Sequence, residues 1–193
     1  MCTSSIYGKY LPQMERVRQE MAVRIGQIRE EIAGRIGMDP VEHCLSRIKS
    51  EESMREKCRR KNLPETTESA LTAIQDAIGF RIVCAFVDDI YEIREKLIAF
   101  EDCEVVREKD YIRHAKPNGY RSYHMILRLD NAFFVEVQLR TISMDTWAAL
   151  EHHLKYKKQI QNEHLIVQEL KRCADELAST DLSMQTIRDM IMK

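Results

Sequence analysis

The stretch Ala132-Phe133-Phe134-Val135-Glu136-Val137-Gln138-Leu139-Arg140 alternates apolar and polar residues as a half-buried β-strand does. The apolar side chains at its odd positions share one face, and Glu136, Gln138 and Arg140 share the other. A carboxylate in mid-strand is unusual, because strands disfavour Glu and a buried charge must be compensated. We therefore expect this strand to carry a functional face, with an ordinary solvent-facing strand as the alternative.

A second strand precedes this one and is expected to pair with it. Residues 122–129 are joined to it through Asp130-Asn131, a pair typical of hairpin turns. A loop of odd length would place His124 on the face that carries Glu136 and Gln138, and a two-residue loop would place it on the opposite face. A functional role for His124 requires the odd loop.

The rest of the chain is predicted to be mostly helical, with three more strands. Helical spacing of apolar residues and cap signals indicate the helices, and β-branched and aromatic runs indicate the strands. The predicted helices span 11–37, 51–61, 68–75, 88–99, 142–157, 160–178 and 181–192, and the predicted strands span 43–49, 79–87 and 104–112. This order indicates an α+β fold with a mixed β-sheet flanked by helices.

Length and composition describe a folded chain. Its 193 residues carry 30 Lys and Arg against 31 Asp and Glu, a net charge of −1, and 44% of them are hydrophobic. These values argue against a disordered chain and against a general nucleic-acid coat, so any anion site must be local. We expect one domain over 1–193, with a core at 41–157 and helical extensions at 1–40 and 158–193 that either cover the sheet or join subunits.

The sequence also predicts a cytoplasmic protein. No apolar run approaches the roughly 20 residues of a membrane helix, and the segment from Met1 to Tyr10 lacks an apolar signal. Six cysteines are scattered without a C-x-x-C pair, which indicates neither a zinc site nor a disulfide framework. Reduced thiols in the cytoplasm are therefore expected.

A first anion site is predicted where the strand at 43–49 meets the helix that follows. Arg47 and Lys49 point the same way on the strand, and Ser53 and Lys57 lie one turn apart on the helix. A helix N-terminus already offers free N–H groups to anions. These residues predict a phosphate site, with a solvated charged helix as the alternative.

Two carboxylates lie beside strands that also carry basic residues. Arg81 stands in a very apolar strand, and Asp76, just before that strand, is expected to pair with it or to hold a metal ion. Magnesium prefers one or two carboxylates plus substrate phosphates, so Asp76 and Glu136 are candidate Mg²⁺ ligands. One of the two could also accept a proton from an attacking hydroxyl.

The stretch from Arg107 to Arg128 is the most basic part of the chain. Its six Lys and Arg against two Asp and Glu leave a charge of +4, and three tyrosines are interleaved with them. Aromatic faces beside cations suit a ligand that combines a base with phosphates. The alternative is an exposed basic loop.

Four ordered motifs resemble the synthetase domain of the RelA/SpoT enzymes, which make the alarmones (p)ppGpp, and the stand-alone small alarmone synthetases most of all. The motifs are Arg47-x-Lys49-x-x-x-Ser53, Asp76-x-x-Gly79-x-Arg81, Lys116-x-x-Gly119-Tyr120-Arg121-Ser122-x-His124, and Glu136-x-Gln138-x-Arg140-Thr141 followed by Trp147 and Glu151-His152. The resemblance covers about 41 to 157 and implies a nucleotidyltransferase-like sheet. No segment resembles the hydrolase domain of the long family members.

The resemblance implies that ATP gives its β,γ-pyrophosphate to the 3′-hydroxyl of GDP or GTP, releasing AMP. Two arginines would sandwich the adenine, three residues would hold the ATP phosphates, and two carboxylates would bind Mg²⁺. The arginines are Arg47 and Arg81, the phosphate-binding residues are Lys49, Ser53 and Lys57, and the carboxylates are Asp76 and Glu136. Glu136 would also be the base for the 3′-hydroxyl.

The resemblance also implies an acceptor site for GDP or GTP. Tyr120 would stack on the guanine and Asp145 would sit near its edge. The residues that would position the acceptor nucleotide are Lys116, His124 and Gln138, and Arg107 and Lys109 belong to an R-x-K-D variant found in bifunctional members. The resemblance to the small members of the family also implies a homotetramer built through the terminal helices.

Two departures and two alternatives accompany this expectation. Ile78 stands where the family usually has a small residue, and His43-Cys44-Leu45-Ser46 replaces a Phe-x-Thr-Gly pattern, so activation by the product is not expected. One alternative keeps the fold but pyrophosphorylates another acceptor, the 3′ end of tRNA or an adenine nucleotide, although the near-neutral charge argues against nucleic acid. The other is a nucleotide-sensing or RNA-binding module without activity.

Overall fold

The computed structural model describes residues 5–129, 132–155 and 162–192. A five-stranded sheet runs in the order β1-β2-β5-β4-β3, in which β2 and β5 are parallel and all other neighbours are antiparallel. The strands are β1 (Val41–Ile48), β2 (Ile78–Cys84), β3 (Cys103–Asp110), β4 (Tyr123–Leu129) and β5 (Phe133–Thr141). The predicted mixed sheet is confirmed.

Within the described ranges, five α-helices flank the sheet. They are α1 (Leu11–Ile36), α2 (Glu51–Arg60), α3 (Val87–Ile98), α4 (Ile142–Lys155) and α5 (Glu163–Ile191). A 3₁₀ turn at Gly8–Tyr10 precedes α1, and the predicted helix at 68–75 is a short π-helical turn, Ser69–Ala73. No helix in the described ranges is long and apolar enough to cross a membrane.

Helix α1 covers the sheet. The apolar stripe that predicts this helix is buried from Met14 to Ile32 and belongs to the same core as the apolar faces of β2 and β5. Gly37, with a φ of 69°, ends the helix in the left-handed conformation and donates its N–H to Ala33. The N-terminal extension is therefore part of the core, a choice that the sequence left open.

The sheet has one apolar and one polar face. Side chains at positions paired across neighbouring strands point to the same side. Glu136 pairs with Gly79, and Gln138 pairs with both Arg81 and His124. Phe80 lies between Gly79 and Arg81 on β2, and its side chain points to the opposite side of the sheet, into the core. The polar face therefore collects residues from every strand.

Several predicted boundaries were wrong. The strand predicted at 79–87 ends at Cys84, and Val87 already begins α3. The helices predicted at 160–178 and 181–192 are one helix, α5, because Thr180 donates its hydroxyl to the Glu176 carbonyl and so does not cap a new helix. Strand β3 ends at Asp110 rather than at 112, since the Asp110 carboxylate accepts the N–H groups of Ile112 and Arg113 and turns the chain. The predicted turn Asp130-Asn131 and residues 156–161 lie outside the described residues.

Candidate active site: two clefts that share Glu136

The hairpin register places His124 on the polar face. The last pair between β4 and β5 is Leu129 with Phe133, so three positions separate the strands. This odd loop is the one that a functional His124 requires, and the prediction is confirmed. His124 lies directly opposite Gln138, which is two residues along β5 from Glu136.

The first cleft lies over β1, β2 and β5. Arg47 and Arg81, the residues predicted to sandwich adenine, both line it, together with Glu136 and Gln138. Gly79 pairs with Arg47 and leaves open space where a side chain would stand. The absence of a side chain at Gly79 leaves open space in a cleft that both arginines line, so this cleft can take a flat ligand beside cations.

Beside this cleft, the predicted phosphate-binding residues gather around Asp76. The Nζ atom of Lys49 lies 3.1 Å from Asp76 Oδ2, and Lys57 Nζ donates to the same oxygen. The Ser50 side chain accepts the N–H of Ser53 and caps α2, and the two hydroxyls lie 2.9 Å apart. The ammonium groups of Lys49 and Lys57 therefore converge on one carboxylate oxygen, and the phosphate-binding role of these residues and of Ser53 stays a prediction.

Asp76 is held as a charged carboxylate. Burial works to raise its pKa, but Lys57 and Lys49 outweigh it and the net pKa is lowered. Its Oδ1 atom is buried and has no hydrogen-bond partner among the described residues. It pairs with Lys49 and Lys57, whereas the predicted pairing with Arg81 is replaced by a contact between Arg81 and Asp145.

The residues fit a divalent cation. The unpartnered Oδ1 of Asp76 is an oxygen ligand of the kind that Mg²⁺ takes, and Glu136 lies on the strand parallel to β2. No group of three or more His, Cys, Asp or Glu in the described ranges could hold a metal by itself. An ion at this place would therefore depend on two carboxylates and on phosphates of a bound nucleotide, and the pairing of Asp76 with Glu136 stays a prediction.

The second cleft lies over β3 and β4 and is rich in cations and aromatic rings. Its lining residues are Arg107, Lys109, Tyr111, Lys116, His124, Ile126 and Glu136. The Lys116 ammonium stands 4.7 Å from the ring centre of Tyr111 and 4.6 Å from that of Tyr120. The Tyr120 hydroxyl lies 2.8 Å from His124 Nε2. This environment suits a base with phosphates, as the basic stretch predicts.

His124 is a neutral imidazole at neutral pH. Burial lowers its pKa to about 3, and the charges of Arg140, Lys116 and Lys109 add to the effect. Its Nδ1 atom lies 3.9 Å from Glu136 Oε1, and Gln138 Nε2 donates to Glu136 Oε2 over 3.1 Å. Glu136 is therefore approached from two sides by polar groups of its own face.

Arg140 is a site residue that the sequence placed in a motif without assigning it a role. Its side chain is 7% exposed and donates to the Tyr120 hydroxyl, to Gln138 Oε1 and to Asp145 Oδ1, at 2.8 to 2.9 Å. The signal was present, since strand alternation places Arg140 on the face of Glu136 and Gln138. Arg140 therefore holds Tyr120, Gln138 and Asp145 against one another beside the two clefts.

Asp145 links the two clefts. Its Oδ1 atom lies 2.9 Å from Arg140 Nη1 and 3.5 Å from Arg81 Nη1. Arg81 lines the first cleft, and Arg140 holds Tyr120 beside the second. The predicted role of Asp145 at a guanine edge stays a prediction.

Glu136 lines both clefts. A carboxylate in this position can accept a proton from a group bound in one cleft while that group attacks an atom bound in the other. The cations on both sides suit two anionic ligands whose charges would otherwise repel each other. The arrangement is suited to transfer of a group between two phosphorylated molecules.

Comparison with known proteins agrees with this geometry. The family model described as a region found in RelA / SpoT proteins matches residues 46–161. The chain is 40% identical over 159 residues to the GTP pyrophosphokinase YwaC of Bacillus subtilis, covering 79% of this chain and 76% of that protein. It is 32% identical over 194 residues to the GTP pyrophosphokinase YjbM of the same organism, covering 97% and 90%.

A solved structure is similar over nearly the whole chain. The small alarmone synthetase 1 of Bacillus subtilis, bound to its product pppGpp, superposes with a TM-score of 0.82 at 32% identity, covering 96% of this chain and 97% of that one. The family model alone spans more than half of the sequence. The motifs, the paired clefts and these similarities together place this chain in the RelA/SpoT family.

Proposed function

We propose that the chain is a GTP pyrophosphokinase, a (p)ppGpp synthetase without hydrolase activity. It transfers the β,γ-pyrophosphate of ATP to the 3′-hydroxyl of GDP or GTP and releases AMP. The observation that carries this proposal is that Glu136 lines both the cleft of Arg47 and Arg81 and the cleft of Lys116 and His124. The similarity to GTP pyrophosphokinases over most of the chain supports it.

ATP occupies the first cleft. The guanidinium groups of Arg47 and Arg81 lie against the adenine faces, where a planar cation stacks well. The ammonium groups of Lys49 and Lys57, which already converge on one carboxylate oxygen, hold the phosphates. The Ser53 hydroxyl at the start of α2 completes this part of the site.

The acceptor occupies the second cleft and Glu136 acts as its base. Tyr120 stacks on the guanine, and the nearby cations, with neutral His124, hold the acceptor phosphates and ribose. The 3′-hydroxyl gives its proton to the Glu136 carboxylate while its oxygen attacks the β-phosphorus of ATP. The bond from that phosphorus to the oxygen bridging the α- and β-phosphates breaks, and AMP leaves with this oxygen.

Mg²⁺ is the proposed cofactor, held by Asp76 and Glu136. When bound, it screens the negative charge of the polyphosphate and polarises the phosphorus. Removal of Mg²⁺ with EDTA should abolish turnover and its return should restore it.

A homotetramer in the cytoplasm is proposed as the working form. Helix α5 exposes large apolar side chains at Leu182, Ile187, Met190 and Ile191, which a second copy of the chain would cover. This exposure supports an assembly through the terminal helices. The nucleotides used are cytoplasmic metabolites, and the five cysteines in the described ranges are free thiols. Light scattering after size-exclusion chromatography measures the oligomeric state.

The direct test is product analysis. Purified protein with labelled ATP, Mg²⁺ and GMP, GDP or GTP should yield AMP and, from GDP, a guanosine tetraphosphate. If neither product forms from GDP or GTP, the proposal is wrong. Parallel reactions with tRNA or adenine nucleotides identify the alternative acceptors.

Glu136→Gln tests the assigned base. We expect a folded protein whose kcat falls by about 10²- to 10⁴-fold, the usual contribution of a general base. Glu104→Gln is the matched control, because Glu104 lies on the outer strand β3, pairs with Arg128 and lines neither cleft. Substantial turnover in Glu136→Gln would remove Glu136 from the mechanism.

A further inference from the structure

The loop Lys116–Arg121, here called the acceptor loop, packs against α5. Gly119 has a φ of 93°, and a Cβ at this position would lie 2.6 Å from the Cβ of Ala174 and 3.0 Å from the Cα of Lys171. No side chain fits between the loop and the helix. All of α5 lies beyond residues 46–161, which the family model matches.

Arg121 ties the loop to the same turn of α5. Its Nη2 donates to Asp175 Oδ1 over 2.8 Å, and its Nη1 donates to the carbonyls of Gly119 and Ala174 over 3.2 and 3.3 Å. The Arg121 side chain is only 18% exposed. Hydrogen bonds from Lys171 and Arg121 lower the pKa of Asp175, so the carboxylate is charged at neutral pH. The guanidinium thereby joins the loop backbone to the helix.

Tyr120 lies between the two anchored residues. Its carbonyl accepts the N–H of Lys116 over 3.1 Å, and its N–H donates to Asn118 Oδ1. Its ring edge meets Trp147, whose indole N–H donates to the Leu170 carbonyl of α5 over 2.8 Å. Any movement of the acceptor loop away from α5 would therefore displace the Tyr120 ring from His124 and Lys116, which line the second cleft.

We propose that Asp175 is a positioning residue for the acceptor nucleotide. It holds Arg121, and Arg121 holds the acceptor loop, so that Tyr120 is in place before the acceptor arrives. The effect should be confined to the acceptor, because Arg47, Lys49 and Arg81, which would bind ATP, form no hydrogen bond or ion pair with the described residues of α5. This inference rests on the proposed function, in which the acceptor is GDP or GTP.

The test compares Asp175→Ala with Glu176→Ala. Glu176 is the adjacent carboxylate on α5 and pairs with Arg172 on the exposed side of the helix, so it is a matched control. Loss of a charge-assisted hydrogen bond at a half-exposed site should raise the KM for GDP by about five- to tenfold. The KM for ATP, the melting temperature and the oligomeric state should stay unchanged, as should every parameter of Glu176→Ala. Asp175→Glu should restore part of the affinity for GDP.

Several results would overturn the inference. If Asp175→Ala keeps the wild-type KM for GDP, Asp175 does not position the acceptor. Equal increases in the KM for GDP and for ATP, together with a lower melting temperature, would reveal a purely structural role. Wild-type protein that forms no tetraphosphate would refute the proposed function and this inference with it, whereas an active wild type with an unaffected Asp175→Ala refutes the inference alone.

Discussion

Acid should destabilise this protein through one histidine of the second cleft. His124 is 19% exposed and lies near Arg140, Lys116 and Lys109. Its burial, reinforced by these cations, lowers its pKa to about 3. The folded protein therefore keeps this imidazole neutral at pH values where an exposed imidazole takes a proton.

The sign and size of the effect follow from the difference in bound protons. In the unfolded chain a histidine titrates near 6.5, so between pH 6.5 and 3 the unfolded state binds the additional proton. The free energy of unfolding then falls by about 1.4 kcal/mol for each pH unit below 6.5. At pH 5 this amounts to about 2 kcal/mol relative to pH 8, and above pH 6.5 the contribution is constant.

The assay is urea unfolding at pH 5 and pH 8 for wild-type protein and for His124→Gln, at one protein concentration. The difference in unfolding free energy between the two pH values should be smaller in the variant by about 2 kcal/mol, because glutamine does not titrate. Groups such as Asp89 titrate equally in both proteins and cancel. His164→Gln, which changes an exposed histidine on α5, should keep the wild-type pH dependence.

Equal pH dependence in wild type and His124→Gln would refute this reasoning. So would an NMR titration that places the pKa of His124 near 6.5 in the folded protein. Either result would mean that water or an anion reaches the imidazole and compensates its charge.

Three further substitutions test the packing around the site. Arg188→Ala should lower the free energy of unfolding by about 3 kcal/mol, because it leaves the carboxylate of Asp89, only 1% exposed, without its ion-pair partner; an unchanged urea midpoint would contradict this. Gly119→Ala should cost about 1 to 3 kcal/mol in thermal unfolding and raise the KM for GDP, since the new Cβ would meet Ala174 at a φ of 93°. Arg140→Lys should keep the circular dichroism spectrum but lower kcat/KM for the acceptor at least tenfold, because an ammonium group cannot reproduce the guanidinium fork that joins three side chains. Wild-type kinetics in this variant would show that the fork is dispensable.

The local pattern of the chain was sufficient to predict the strands and much of the first cleft. Alternation along β5 placed Glu136 and Gln138 on one face, and the odd hairpin loop then brought His124 to the same face. The convergence of Arg47 and Arg81 also follows, because neighbouring strands keep their side-chain phase. These features are predictable since they depend on a two-residue period that any strand imposes.

Element ends were less predictable. The Ser179-Thr180 pair looks like a helix break, but inside α5 the Thr180 hydroxyl donates to the Glu176 carbonyl and the Ser183 hydroxyl donates to the Ser179 carbonyl, and the helix continues. Asp181, buried on the inner side of α5, accepts a hydrogen bond from the hydroxyl of Thr141, the last residue of β5. A tertiary contact thus favoured one long helix where local propensity favoured two.

The sequence by itself determined the family, the polar face of the sheet and the basic and acidic residues that line the two clefts, because these follow from motif order and strand periodicity. Only the tertiary structure decided that Arg140 joins Tyr120 to Asp145, that Asp175 holds the acceptor loop, and that His124 stays neutral. These properties depend on burial and on partners far apart in the chain. Neither is encoded in the spacing of neighbouring residues.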